Sequence, residues 1–291
     1  MAAAAEHAQL LLESLMGVVV VGASSLIARA LKASAFTSAW RFVSHASALE
    51  SAGWLHGTDV LVNCAFDPRL KTGAYDAAHD VDLRIAALLR DWPAVHYVML
   101  SSRLAYGPAP GDTRLVESMA AAPDRPYGIA KLATEQALER LLGKRLTVLR
   151  LSNVFGDEAQ PGRQNFFAIA LRTLRDEGRI VLDMSPFVER DFIPVEELAA
   201  ALVRVAAAPR AGLFNLGAGH GTPTGRIAQW LIEGHGRGEM MVTSMREFDA
   251  FSLDIAAATN AFGIEPVTPE VLRERCRRLG ERLRVSRQGQ P

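Results

Sequence analysis

The sequence predicts a doubly wound α/β fold: a Rossmann-like parallel sheet with a small, partly helical C-terminal substrate cap. Two observations lead there. Short, nearly continuous apolar runs at 18–21, 96–100 and 146–151 alternate with helix-length segments. A strand apolar at every position has both faces covered, as in a parallel sheet between helical layers. The first run also leads through Gly22-Ala23-Ser24-Ser25 straight into a helix pattern. In such sheets, ligands bind outside the carboxyl ends of the strands.

Taken in order, 18–21 is β-branched throughout and 26–32 carries a helix pattern. Residues 40–43 form a short second strand. A third, 59–63, precedes a loop rich in Pro, Gly and Asp. A helix is expected at 80–89 and a strand at 96–100, ending at Ser101-Ser102. A long helix follows at 126–142 and a strand at 146–151. After Gly156 the segments shorten: a helix at 166–177, a strand at 180–182 and a helix at 195–207. Another helix begins near Thr224, and the tail 269–284 is helical and basic. This divides the chain into an N-terminal extension (1–16), a dinucleotide-binding domain (17–155) and a mainly cap-forming part (156–291). Some elements of the last part are expected to return to the sheet.

Composition excludes several classes. Across 291 residues, 32 basic side chains balance 32 acidic ones, and 49% of residues are hydrophobic. Nucleic-acid binding by phosphate neutralisation needs a basic excess that is missing. The apolar content is too high for a disordered chain. The length suits one large or two modest domains with an ample core. Cys64 and Cys276 make neither a disulfide framework nor a metal cluster, so no metal is expected and a reduced, cytoplasmic protein is. No run of 18 apolar residues lacks charge, so no membrane helix is expected. The N-terminal stretch carries Glu6 and Glu13 without a basic region, unlike a signal peptide. Trp40, Trp54, Trp92 and Trp230 are dispersed and suggest no stacking platform.

The turn G-x-x-S-x-x-A between strand and helix is a candidate dinucleotide turn. Helix-terminal amides and the dipole suit a pyrophosphate. Gly22 permits the tight turn, Ser25 stands where a second glycine would be, and Ala28 is small enough for close helix–strand packing. An ordinary strand-to-helix turn fits the same residues. The second strand ends Phe42-Val43-Ser44-His45, with no carboxylate to hold ribose hydroxyls or repel a 2′-phosphate. NADP(H) is therefore favoured. NAD(H) is the alternative, since no Arg stands at the strand end.

Tyr127 and Lys131 are four positions apart and share a helix face. A phenol with a pKa of about 10 is a poor proton donor at neutral pH, and a nearby ammonium makes it a better one. Alone the spacing also fits a surface tyrosine beside a solvated lysine. Its place after Ser102, at the end of the fourth strand of a chain opening on a glycine turn, favours a catalytic set of Ser102, Tyr127 and Lys131.

Together, VVVVGASSLIARAL (18–31), DVLVNCAF (59–66), VMLSSRLAYG (98–107), RPYGIAK (125–131), LRLSNVFG (149–156), GRQNFFAIAL (162–171), RDFIPVEELAAAL (190–202) and LFNLGAG (213–219) resemble the extended short-chain dehydrogenase/reductase family, in its nucleotide-sugar epimerase/dehydratase/reductase branch. The resemblance implies that Tyr127 is the acid/base, Lys131 positions it and the cofactor, and Ser102 orients the substrate. It implies cofactor contacts at Gly22, Ser24, Ser25, Leu26, Ile27, Ser44, His45, Ala65, Tyr127 and Lys131. Asn153, Asn165, Arg190 and, on a poorer motif, Arg246 would contact the nucleotide diphosphate. It also implies a homodimer through the helices at 80–90 and 126–142. Plainer readings stand beside these: Asn153 in a strand-end turn, Asn165 as a helix N-cap, Arg190-Asp191 as a surface ion pair, Cys64 as packing, and the basic tail as a solvated face.

The departures bear on the reaction. The sugar dehydratases it resembles carry acidic residues directly after the strand-end hydroxyl residue. Here Arg103-Leu104 follows Ser102, which disfavours dehydration. A 4-ketoreductase acting on an NDP-4-keto-6-deoxyhexose is expected. The first alternative is an NAD-dependent NDP-sugar 4-epimerase, and the second a non-catalytic protein that binds a nucleotide sugar or a partner.

Overall fold

A computed structural model of the chain describes residues 17–109, 113–158 and 165–288, with side chains to residue 285. The expected N-terminal extension lies outside the described residues. The first half runs β1 (Val18–Val21), α1 (Leu26–Lys32), β2 (Arg41–Val43), α2 (His45–Glu50), β3 (Val60–Asn63), α3 (Val81–Leu88), β4 (His96–Ser102), β5 (Thr113–Leu115), α4 (Pro126–Leu142), β6 (Leu146–Leu151) and β7 (Asn153–Phe155). The second half runs α5 (Phe166–Glu177), β8 (Arg179–Leu182), β9 (Glu189–Arg190), β10 (Phe192–Pro194), α6 (Val195–Ala207), β11 (Gly212–Leu216), β12 (Thr222–Pro223), α7 (Thr224–His235), β13 (Glu239–Val242), β14 (Phe251–Leu253), α8 (Ala256–Phe262) and α9 (Pro269–Gln288).

Six strands form one parallel sheet in the order β11-β6-β4-β3-β1-β2. The strands are apolar because they alternate between two covered faces. Val18, Val20, Val60, Val62, Val98 and Leu100 point into one core with α1, α6 and the later helices. Val21, Leu61, Tyr97 and Met99 point into the other, with Ile85 of α3 and Leu138 of α4. The first core runs without a break from the sheet to Leu272 and Leu283 of α9. β11 pairs with β6 along its whole length. Residues beyond 155 therefore share both the sheet and the core, rather than resting on them as a separate unit. Three small sheets, β7 with β10, β8 with β13, and β12-β9-β14-β5, carry the cap side.

Helix α4 lies unusually close to the sheet end. A Cβ on Gly128 would stand 2.3 Å from the Leu104 carbonyl oxygen. Further along, Glu135 receives two bonds from Arg150 of β6, Nε to Oε1 at 3.1 Å and Nη2 to Oε2 at 2.6 Å. Ser101 of β4 donates to the same carboxylate. Ser101, Arg150 and Asn215 occupy one register across β4, β6 and β11. The Arg150 guanidinium lies 4.3 Å from the Tyr106 ring, and the Tyr106 hydroxyl donates to Asn215 at 2.7 Å. One buried network thus joins the helix to three strands.

Two predictions follow from this packing. Replacing a helix-interior glycine by alanine ordinarily stabilises by about 0.5–1 kcal/mol. At Gly128 the backbone clash outweighs that gain, so Gly128→Ala is expected to destabilise by about 1–3 kcal/mol in denaturant unfolding; a stabilised variant would contradict the close approach. His96 is held 2.8 Å from Thr147, and burial, aided by Arg145, pulls its pKa down to about 4. In an unfolded chain it titrates near 6.5. Between those values the unfolded state binds the extra proton, so stability falls as pH drops from about 6.5 to 4. His96→Gln should flatten that part of the pH dependence of the urea midpoint.

Candidate active site

Strand β4 ends at Ser102, whose Oγ accepts a bond from the Leu104 amide at 3.2 Å and caps the short 3-10 turn Arg103–Ala105. Pro126 opens α4, with its fixed φ suited to a first helical position. Tyr127, half-buried, sits in that first turn, and Lys131 is buried one turn later. Because Gly128 lets α4 touch the 103–105 turn, the helix start meets the strand end. Ser102, Tyr127 and Lys131 therefore gather at the carboxyl edge of β4.

The sequence did not signal what surrounds them. Phe66, from the segment after β3, meets Tyr127 edge-on at 5.0 Å between ring centroids and lies 4.8 Å from the Lys131 ammonium. Lys131 donates to the Leu100 carbonyl at 2.8 Å. Its Nζ lies 3.8 Å from Asp82 Oδ2 on α3. Asp82 Oδ1 accepts from Asn63 at 2.7 Å and from Tyr97 at 2.8 Å. Burial opposes the charge on Lys131, but Asp82, Tyr127 and the neighbouring acids outweigh it and hold its pKa above the usual lysine value. Burial pushes the Asp82 carboxyl above its usual range, against the pull of Lys131. Asp80 and Asp82 look in sequence like ordinary helix-start acids. Asp80 is indeed the N-cap of α3, while Asp82 turns inward toward a lysine distant in sequence.

The glycine turn lies at the switch point between β1 and β3, where the strand order reverses direction and α/β sheets open a ligand crevice. Gly22 has φ +89°, and a Cβ there would stand 2.8 Å from the Ala65 amide nitrogen. The Gly22 and Ala23 amides both donate to the Val43 carbonyl, at 2.9 and 3.2 Å. Ser25 is the N-cap of α1, accepting from Ala28 at 3.1 Å. Ser24 is exposed, Leu26 buried and Ile27 half-buried. Ser44 caps α2 by accepting from Ser47 at 3.0 Å, and His45 beside it is exposed. The turn, Ala65 and the β2 end thus adjoin one another. Two cations not signalled at the strand end also reach the turn. Lys32 donates to the Ala23 carbonyl at 3.1 Å and Arg29 to that of Ser24 at 3.4 Å.

On the cap side the expected substrate residues separate. Asn153, in β7, donates to the Asp191 carbonyl at 3.1 Å. Asn165 caps α5, accepting from Ala168 at 2.7 Å and donating to Glu158 at 2.6 Å, so both ends of its amide are engaged in the helix start. The surface ion pair Arg190-Asp191 does not form. Asp191 is fully buried and accepts from the amides of Ala218, Gly219 and Leu253. Arg190 points the other way, toward Asp249, as does Arg103. Arg246 is exposed at the rim, its guanidinium 5.7 Å from the Phe248 ring. A cleft of about 650 Å³ on this side is lined by Arg103, Arg125, Phe187, Glu247, Phe248 and Asp249 among others, and by none of Asn153, Asn165, Arg190 and Arg246. Among the described residues no cluster of His, Cys, Asp or Glu is arranged to hold a metal, and no helix is long and apolar enough to cross a membrane.

The model of the NAD dependent epimerase/dehydratase family matches residues 43–217, from the end of β2 to just past β11. The chain belongs to that family. Its members are enzymes of the extended short-chain dehydrogenase/reductase type, and the family match carries NAD(P) as cofactor. Among curated proteins, the chain is similar to a dTDP-6-deoxy-L-talose 4-dehydrogenase (NAD(P)(+)) from Kitasatospora kifunensis, at 32% identity over 193 residues. The matched stretch is 60% of this chain and 58% of that protein. Among solved structures, UDP-glucose 4-epimerase of Thermotoga maritima with UDP-glucose superposes with TM-score 0.77 at 20% identity, covering 93% of this chain and 99% of that one. RMD from Pseudomonas aeruginosa complexed with NADPH gives TM-score 0.71 at 19% identity, covering 93% and 99%. These structures share the fold of this chain.

A chemical prediction arises beside the glycine turn. Burial pushes the Cys64 thiol up to about 12, against a hydrogen bond with Ser25 that pulls the other way. Cys276 is buried in the core. Thiolate is the reactive form, so neither cysteine should be alkylated by iodoacetamide at pH 8 in the folded protein. Both should react once it is unfolded; rapid labelling of Cys64 in the native state would show that the crevice floor is open.

Proposed function

We propose that this protein reduces the 4-keto group of a nucleotide-diphosphate 4-keto-6-deoxyhexose, with NADP(H) as exchangeable cofactor. The observation that carries the reading is the residue after Ser102. Arg103 takes the place of an acid there, and its guanidinium engages both oxygens of the Asp249 carboxylate, so no free carboxylate at that position supports dehydration, while the proton donor Tyr127 and its lysine are intact. The relative named as a 4-dehydrogenase of a dTDP-6-deoxy sugar supports the same chemistry, because a 4-dehydrogenase run backwards is a 4-ketoreductase.

When bound, the nicotinamide supplies hydride to the sugar carbonyl carbon. The chain's own residues do the rest. Tyr127 donates its phenolic proton to the nascent alkoxide. Ser102 donates a hydrogen bond to the same oxygen and orients it. Lys131, anchored from behind by the Leu100 carbonyl and Asp82, keeps positive charge next to Tyr127 as the proton leaves. Phe66 and the buried wall behind it keep that charge away from bulk water, where it would be screened.

Preference for NADP(H) is supported by the β2 end, which offers Ser44 and Ser47 hydroxyls and no carboxylate, with Lys32 and Arg29 of α1 reaching the adjoining turn. Exchange rather than retention is supported by the sheet edge. β2 has three residues and is the last strand on that side, so the adenosine end has little to hold it. We also propose a homodimer through α4, whose outer face presents Ile129 and Leu141 with the small Ala133 and Ala137 between them.

The test is direct. Purified protein should consume NADPH when given an NDP-4-keto-6-deoxyhexose, and Tyr127→Phe should lower kcat on the order of 10²–10⁴-fold with little change in NADPH affinity. Release of tightly held NAD on denaturation, together with NDP-hexose interconversion without added cofactor, would establish the epimerase instead.

A further inference from the structure

Residues 243–250 form a strap between β13 and β14, and its last four residues line the cleft together with Arg103 and Leu104. Those two belong to the short turn that follows Ser102. Arg103 and Asp249 lie 146 positions apart, yet Arg103 donates to both carboxylate oxygens, Nη1 to Oδ1 at 2.6 Å and Nη2 to Oδ2. Arg103 is buried, and its guanidinium lies 4.2 Å from the ring of the fully buried Phe251. A buried pair of this kind contributes little net stability, because desolvation offsets the attraction. Two parallel bonds to a planar guanidinium do fix distance and angle.

The strap is a firm point to tie to. Asp249 has φ 57°, the one non-glycine residue in the left-handed region among the described residues. An aspartate tolerates that conformation without preferring it, and it persists only where the surroundings hold it. Arg190 of β9 donates to the Asp249 and Phe248 carbonyls at 3.2 and 3.3 Å. The Ser185 amide donates to the Arg246 carbonyl at 2.9 Å. These bonds fix the strap's backbone without Arg103. What the Arg103 pair adds is an attachment for the 103–105 turn. That turn controls two members of the catalytic set. Ser102 Oγ accepts from the Leu104 amide at 3.2 Å, and the Leu104 carbonyl is what Gly128 lets α4 approach, beside Tyr127.

We propose that Arg103 is a positioning residue: through Asp249 it moors the turn at the end of β4 to the strap, and so fixes the spacing of Ser102 and Tyr127. This rests on the ketoreductase reading above and makes a segment from the last third of the chain part of the catalytic geometry. Arg103 acts through the turn and not on the ligand.

The test uses the full chain, saturated with NADPH and given an NDP-4-keto-6-deoxyhexose. Asp249→Asn keeps the size, removes the charge and suits the left-handed conformation. Arg103→Met keeps the apolar stem against Phe251. Each should lower kcat by roughly 10²-fold, with KM for the ketosugar changed by less than about twofold. The double variant should lose no more than either single one, since both break one link. Hydrogen exchange at the Leu104, Tyr106 and Gly107 amides, which bond within this turn, should quicken about tenfold in each variant. Native kcat in either folded variant, a loss carried by KM, or losses that multiply would overturn the proposal. Exchange needs no substrate, so unchanged exchange at these amides overturns the mooring by itself. Absence of ketosugar reduction by the native protein with quickened exchange in the variants would sustain the mooring and remove the wider reading.

Discussion

The close docking of α4 across the carboxyl end of β4 is the constraint on which the candidate site depends. Four contacts of the helix enforce it. The Leu104 carbonyl fills the space that a side chain on residue 128 would need. Lys131 donates to Leu100, and Ser101 donates to Glu135. Thr134 reaches from the same helix to the Asp80 carboxylate of α3. A helix one side chain further away would separate Tyr127 from Ser102 and expose Lys131.

The price of that docking is a set of buried charges. Lys131 faces Asp82 and Arg150 faces Glu135, all four within the interior. Buried ion pairs contribute little net stability, because desolvation offsets most of the attraction, while losing one partner is strongly unfavourable. Their value here is positional. Asn63 and Tyr97 also donate to Asp82, and Ser101 to Glu135, so both acids, and the cations facing them, are held in place. The overall charge balance of the chain fits this arrangement: the cations that matter are local, and several of them meet an internal acid.

Most of the framework was legible in the residues. Continuous apolar runs reported strands with two covered faces, and the glycine turn and Tyr127–Lys131 marked the carboxyl edge of the sheet. What escaped was built from pairs distant in sequence or from strands too short to show a period. β9 and β12 have two residues each, and their pairing is decided by the cap's packing rather than by local preference. Strand β11 was hidden within the motif LFNLGAG, whose Asn215 sits in register with Arg150 rather than in a cap. The plainer reading of Arg190-Asp191 as an ion pair rested on adjacency, but adjacent residues in an extended segment point to opposite sides. Asp191 went inward to backbone amides and Arg190 outward to Asp249. Arg103 read as a missing carboxylate, and no local signal revealed its partner in the 243–250 segment.

The central claim is that hydride and proton are delivered to one sugar carbonyl at the β4 edge. It is tested most directly with NADPH deuterated at the transferring position of the nicotinamide and an NDP-4-keto-6-deoxyhexose. Mass spectrometry and NMR of the product should find one deuterium, at C4 of the sugar, in step with the NADP⁺ formed. Product without deuterium, or deuterium at any other carbon, would contradict it.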